Sequence, residues 1–348
     1  ALDFRPIVLL PIIYRLWARV RAKDLEYWMN EVGIRPLPGS CKGAEEQGML
    51  LTLAKEMAMA RGQEAGGLAL DFSKAYGRIA LDFLRKVAVA ARMPSWLVAP
   101  MLDMYKAPRQ VRIMDTYGEL RVPTHGLVPG CPAATFWMAI CTYPWIFHMR
   151  SLSMCPTVRG WVDDLTAYTV GLDECKELMR EGSAAILEYE LAGYEINRIK
   201  SGALGTSKKT IVAMSACGGE LQLPVAPYIK DLGIVPGTTV EARKKARERW
   251  LEACRRLLRI ARLALPSRTL GNLTAASAMG VGAFGVASRI APKGMLQGLR
   301  QWVRHACYKG SKMGAYELMV WVRNIPWRAD PVVQALCRPA DFLAHTIE

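Results

Sequence analysis

The chain has 348 residues, 51% of them hydrophobic, with 46 Lys and Arg against 31 Asp and Glu for a net charge of +15. That apolar share excludes a disordered chain and is enough for two or three packed units. The positive excess favours a polyanionic partner, nucleic acid before membrane.

The opening "ALDFRPIVLLPIIYRLW" reads as the interior of a domain, so the sequence is expected to be a piece of a longer protein. Its apolar run is interrupted by Pro11 and Arg15 and does not fit a signal peptide; no targeting signal is visible. Nine cysteines without a C-x-x-C pair read as reduced thiols in a nuclear or cytoplasmic protein. The histidines, His125, His148, His305 and His345, lack zinc-ligand spacing.

Residues 6–20 turn from apolar to basic, a strand or a short helix. Loop signals follow at Pro36, Pro38 and Gly39. A helical pattern begins at 44, with Leu50, Leu53, Ala54 and Met57 on one face, and Gly66-Gly67 ends it. "LALDF" is a short apolar strand, and 78–92 is helical until Pro94 stops it. "QVRIMDTYGELRVPT" predicts two strands around a Tyr117-Gly118 turn. An uncharged helix follows Pro132, then a strand pair, "VRGWV" and "LTAYTV", with Asp163 and Asp164 at its bend. A helix from 173 to about 191, "GYEINRIKSG" and further short strands come next. From 241 to 265 one amphipathic helix places Trp250, Cys254, Leu257, Leu258 and Ala261 on an apolar stripe and mostly Arg and Lys elsewhere. The remainder is helical. Two uncharged stretches, 131–149 and 269–288, fit buried helices better than membrane spans, because Pro132, Pro144 and His148 interrupt the first and small residues build the second.

"GWVDDLTAY" is the sharpest local feature. Adjacent carboxylates repel, and among Trp161, Val162, Leu165 and Tyr168 they are costly unless a cation neutralises them. An ordinary solvated Asp-Asp turn is the simple alternative. Asp71 also ends an apolar strand; if that strand lies beside the Asp163 hairpin, three carboxylates converge on one edge. Such oxygen ligands suit Mg²⁺, and two ions about 4 Å apart can activate a hydroxyl and stabilise a leaving pyrophosphate.

The ordered segments resemble reverse transcriptases. "DFSKAYGRI" looks like their first palm motif, "GLVPGCPAA" is similar to G-x-P-Q-G-C-P-x-S, and "WVDDL" resembles the (Y/F)-(A/V)-D-D signature. "GYEINRIKSG" is similar to G-x-x-x-N-x-x-K-S, "IKDLGIVPG" to the L-G primer-grip turn, and "RPIVLLPIIYRLWARVRAKDL" to the R-P-I fingers segment. The closest overall look is of reverse transcriptase domains from non-LTR (LINE-type) retroelements of protists such as dinoflagellates. The resemblance implies an α+β right-hand polymerase core: fingers and palm over 1–235, with an antiparallel sheet carrying the aspartates, and a helical basic thumb with a C-terminal extension over 236–348.

It also implies roles. Asp71, Asp163 and Asp164, with the Phe72 carbonyl, would hold two Mg²⁺ ions, with Mn²⁺ as the alternative ion. Tyr76 would lie under the sugar of the incoming dNTP, with Gly130 in the nucleotide-facing loop and Arg5 at the triphosphate. Lys200 would approach the pyrophosphate as a general acid. Leu232-Gly233 would support the primer end, and the basic helix would track an RNA template and DNA primer, with no membrane involved. Taken singly, Tyr76 fits a core aromatic, Lys200 a solvated lysine, Arg5 a surface charge and the basic helix a solvated face.

Three departures from the pattern bear on the expected activity. Gly77 stands where the family has Asp and is expected to remove a helix N-cap. Pro129 replaces Gln and Ala134 replaces Ser in the nucleotide-facing motif. The expected function is RNA-directed DNA synthesis with impaired activity; the alternative is a catalytically impaired nucleic-acid-binding protein of the same fold.

Overall fold

The computed structural model describes residues 8–34, 44–154, 156–227, 240–283, 293–308 and 326–337. The chain divides into two compact units, one formed by Ala1–Lys42 with Ala58–Ile229, the other by Gly43–Met57 with Lys230–Glu348. Helix α1 (Ile12–Glu31) belongs to the first unit, and α2 (Ala44–Ala60) straddles the division. The segment read as a strand or short helix is thus a long helix, started by Pro11 and burying Tyr14, Ala18, Leu25 and Met29 on one face.

The first unit continues with β1 (Ala65–Leu70), α3 (Ala75–Arg78), α4 (Leu81–Ala90) and α5 (Ser95–Lys106). A two-stranded hairpin follows, β2 (Arg109–Ile113) and β3 (Thr116–Arg121). Its turn is at Met114 and Asp115, so Tyr117 and Gly118 lie inside β3. Then come α6 (Ala134–Ser151), β4 (Thr157–Trp161), β5 (Asp164–Val170), α7 (Leu172–Leu191), β6 (Gly202–Gly205), α8 (Lys208–Cys217) and β7 (Val225–Ala226). The main sheet has the order β4-β5-β1-β6-β7, antiparallel throughout except for the β6–β7 pair.

Helices α6 and α7 pack on one face of this sheet. The Leu68 side chain reaches α7 so closely that a Cβ at Gly182 would stand 2.6 Å from its Cδ2. Strand alternation then puts Gly66, Leu68 and Leu70 on the helix face and Gly67 and Ala69 on the other. The two helices are pinned at Pro144, whose missing N–H weakens the α6 ladder. There the Tyr189 hydroxyl from α7 enters the ladder, accepting from Trp145 N–H (3.1 Å) and donating to the Cys141 carbonyl (3.0 Å).

In the second unit, α9 (Val240–Ala261) buries Ala246, Ala253, Cys254, Leu257 and Ile260, while Leu258 is exposed. Helix α9 packs on α12 (Lys293–Tyr308), and Ala253 and Ile260 join Leu257 and Cys254 in the core of this unit, in place of the expected Leu258. Between them lie α10 (Ser267–Leu273), a π-helical turn (Thr274–Met279) and the short α11 (Gly280–Gly282). Arg300 Nε donates to Asp330 Oδ1 at 2.9 Å. No helix among the described residues is long and apolar enough to cross a membrane.

Candidate active site

Strand β1 delivers Asp71 to the edge of the sheet. Leu70 pairs with Leu165 at the end of the β1–β5 ladder, and β5 begins one residue earlier at Asp164. Asp71 follows the last β1 residue of that ladder, so it and Asp164 come to the same end of the paired strands. Both belong to the sheet face turned away from α7, because Asp71 continues the Gly67 and Ala69 row and Asp164 continues the row of their partners Tyr168 and Thr166.

Trp161 pairs with Asp164, leaving Val162 and Asp163 as a two-residue turn. Val162 has φ +59° while Asp163 keeps an ordinary negative φ, the φ pattern of a type II′ turn. Glycine normally takes that first position, so the β-branched Val162 is held there against its own preference. Asp163 occupies this turn half-buried, directly before the Asp164 that opens β5.

A second segment clamps Asp71 from the β6 side. Asp71 N–H donates to Ser201 Oγ (2.9 Å), and its carbonyl accepts from Asn197 N–H (2.8 Å) and the Ser201 hydroxyl (3.3 Å). Phe72 forms an antiparallel bridge with Ile196, and its buried ring packs on Tyr189 and Tyr194 at 5.6 and 5.1 Å between centroids. Since Asp71 turns both backbone groups toward this clamp, the alternation of an extended chain turns those of Phe72 to the opposite edge, where β5 lies. Lys200 Nζ sits 3.4 Å from Asp71 Oδ2. That oxygen is buried and accepts no hydrogen bond, so the contact is ionic.

Tyr76 lies in α3, half-buried. Burial pushes its phenol well above the usual tyrosine range, and the Asp163 charge adds to the shift. Gly77 is inside the α3 turn, and the cap position of α4 is Ala80, so Asp there would not cap the following helix. The expected loss of an N-cap at Gly77 is therefore corrected. A Cβ at Gly77 would meet nothing within 4 Å.

The loop 126–131 is fastened to the same segment. Gly126 N–H donates to Ile79 O (2.7 Å) and Leu127 N–H to Tyr76 O (2.6 Å). Gly130 is exposed with φ +85°, and a Cβ there would meet nothing, so backbone conformation alone selects glycine. Pro129 beside it is exposed, whereas Ala134 is buried at the first turn of α6.

Asp71, Phe72, Tyr76, Asp163, Asp164 and Lys200 thus belong to one neighbourhood, with Gly130 joined to it through the loop. Arg5 and Leu232-Gly233 lie outside the described residues. Ser201 and Asn197 were missed as clamp residues; the signal was a short polar side chain on each side of Lys200, able to bond a neighbouring backbone.

Among the described residues, no group of three or more His, Cys, Asp or Glu is gathered closely enough to hold a metal ion. What fits a cation is the buried Asp71 Oδ2, which accepts no hydrogen bond, at the sheet end that also carries Asp164. The donors are all oxygen, the kind Mg²⁺ takes.

Residues 2–211 match the family described as reverse transcriptase (RNA-dependent DNA polymerase), more than half of the chain. The chain belongs to the reverse transcriptase family. Its α+β fold, with the aspartates at one end of an antiparallel sheet, is the fold the sequence led us to expect. Among solved structures it is similar to apo telomerase from Candida tropicalis, with 10% identity, a TM-score of 0.47, and coverage of 95% of this chain and 54% of that one. Telomerase from Candida albicans in complex with a TWJ fragment of telomeric RNA gives 11%, 0.44, 95% and 52%. The chain therefore spans about half the length of these telomerases. No curated protein matches.

Proposed function

We propose that this chain copies RNA into DNA, adding dNTPs to a DNA primer, and that it derives from a non-LTR (LINE-type) element resembling those of dinoflagellates. The observation that carries the reading is that the paired strands β1 and β5 deliver Asp71 and Asp164 to the same end of the sheet, with Asp163 in the turn before Asp164 and Lys200 3.4 Å from Asp71. When bound by Asp71, Asp163, Asp164 and the Phe72 carbonyl, two Mg²⁺ (or Mn²⁺) ions would supply the positive charge that phosphoryl transfer needs. Tyr76 orients the sugar of the incoming nucleotide and rejects a 2′-hydroxyl. Gly130 lets the loop backbone approach the nucleotide, and Lys200 gives a proton to the departing pyrophosphate oxygen. Arg5 at the triphosphate and Leu232-Gly233 at the primer end are carried by resemblance alone. We assign 1–235 to fingers and palm and 236–348 to thumb and extension, with the cationic face of α9 following the template–primer backbone.

The exposed Pro129 favours a second reading, a nucleic-acid-binding protein of impaired activity. One variant separates the two. Asp163→Asn should lower primer extension on poly(rA)/oligo(dT) by about 100-fold or more, since it removes one charge from the ion-binding set. Duplex binding should persist and should weaken steeply with salt. Extension at the wild-type rate by Asp163→Asn would overturn the site; tight binding without extension by either protein would favour the second reading.

A further inference from the structure

Behind the nucleotide-facing loop lies a buried polar cluster that the proposed chemistry does not use. The Tyr14 hydroxyl of α1 lies 3.3 Å from the Cys131 sulfur, in hydrogen-bond contact across the core. The hydroxyl of Tyr105 from α5 is wholly buried without a closed hydrogen bond. It belongs to the same cluster: after burial, Cys131 is the main influence raising its phenol, followed by Tyr14 and then Tyr76. Cys131 itself is buried and shows no disulfide partner.

Cys131 is also the residue that closes the loop. Its N–H donates to Val128 O at 3.1 Å, spanning Pro129 and the positive-φ Gly130. At the other end, the loop holds Tyr76 through the Leu127 N–H. A displacement of Cys131 is therefore carried along four residues of loop to the Tyr76 backbone, and polar groups sealed in a core resist such displacement strongly.

We propose that Cys131 is a positioning residue: its thiol, held by Tyr14 and facing Tyr105, sets the path of the 126–131 loop and thereby the placement of Tyr76 against the nucleotide sugar. The inference rests on the reading of Tyr76 as the sugar-discriminating residue. It makes α1 and α5, far from the aspartates in sequence, contributors to nucleotide selection.

The test uses the full chain bound to a template with a chain-terminated primer, so that no bond need form. The readout is the ratio of the half-saturating concentrations of the next rNTP and the next dNTP in stabilising this complex. Cys131→Ala should lower that ratio about three- to ten-fold, the range of one hydrogen bond. Cys131→Ser, which keeps a donor and acceptor, should hold it within about two-fold of wild type. Tyr14→Phe combined with Cys131→Ala should be no worse than Cys131→Ala alone, because both remove the same contact. If Cys131→Ala does not fold, Tyr14→Phe carries the test, with the same direction expected. Tyr76→Val is the control on the underlying reading. If Tyr76→Val lowers the ratio and the Cys131 and Tyr14 variants leave it unchanged, the positioning role is overturned while the sugar gate stands. If Tyr76→Val leaves it unchanged, the gate itself falls and this inference falls with it.

Discussion

The two sides of the site are built to different standards. Asp71 ends a fully buried strand, and Ser201 and Asn197 bond its backbone from the β6 side. The loop opposite is anchored through Leu127 and Cys131, but its crest, Pro129 and Gly130, is exposed and carries no polar side chain. A buried clamp can be lost only at a cost in folding stability, whereas an exposed crest can change without unfolding anything. That difference fits the proposal that the chain keeps its aspartates while Pro129 takes the place of the Gln that the resemblance leads us to expect.

Breaking the clamp should have the largest effect. Ser201 is 2% exposed, so Ser201→Ala leaves the Asp71 N–H without its partner at a cost of about 1–3 kcal/mol. A fall in melting temperature together with a fall in extension rate is expected; an unchanged protein would mean that the clamp is decorative. On the loop side, Gly130→Ala meets no steric obstacle but forces a left-handed φ on a residue with a Cβ, worth about 1–2 kcal/mol. It should raise the KM for dNTP and lower the melting temperature by no more than Ser201→Ala does. The smallest effect sharpens the contrast from outside both parts. Gly77 has ordinary helical backbone and open space, so Gly77→Ala should stabilise by about 0.4–1 kcal/mol through the unfolded chain. Calorimetry should show a modest rise in melting temperature with extension unaltered; a loss of stability would indicate a role for Gly77 that its surroundings do not show.

Much of this was legible because the motif segments keep their order and end strands on charged residues. Asp71 and the Asp163 turn announce themselves as carboxylates following apolar runs. Other features obey tertiary packing that sequence cannot display. Gly66 looks like a helix terminator, yet it lies inside β1, because a Cβ there would stand 2.7 Å from Met214 Sδ and 2.9 Å from Cys175 Sγ. The hairpin turn sits at Met114, whose φ of +53° has no glycine to mark it, so Gly118 attracted the prediction instead. Helix α8 did leave a signal, Ser207 capping the Thr210 N–H at 3.1 Å, but its body of small and β-branched residues hides the period. The clamp residues Ser201 and Asn197 look like ordinary loop polar groups until the strand they hold is seen beside them.

The central claim, an intact carboxylate scaffold facing an altered nucleotide loop, is tested most directly by primer extension on poly(rA)/oligo(dT). Wild type, Pro129→Gln and Asp163→Asn should be run in parallel at equal duplex occupancy. The account predicts weak extension by wild type and none by Asp163→Asn. Pro129→Gln should raise extension up to about ten-fold, the worth of one regained hydrogen bond in the transition state. Adding Ala134→Ser should change little, because Ala134 is buried in α6. Fast extension by wild type with no change in Pro129→Gln would contradict it.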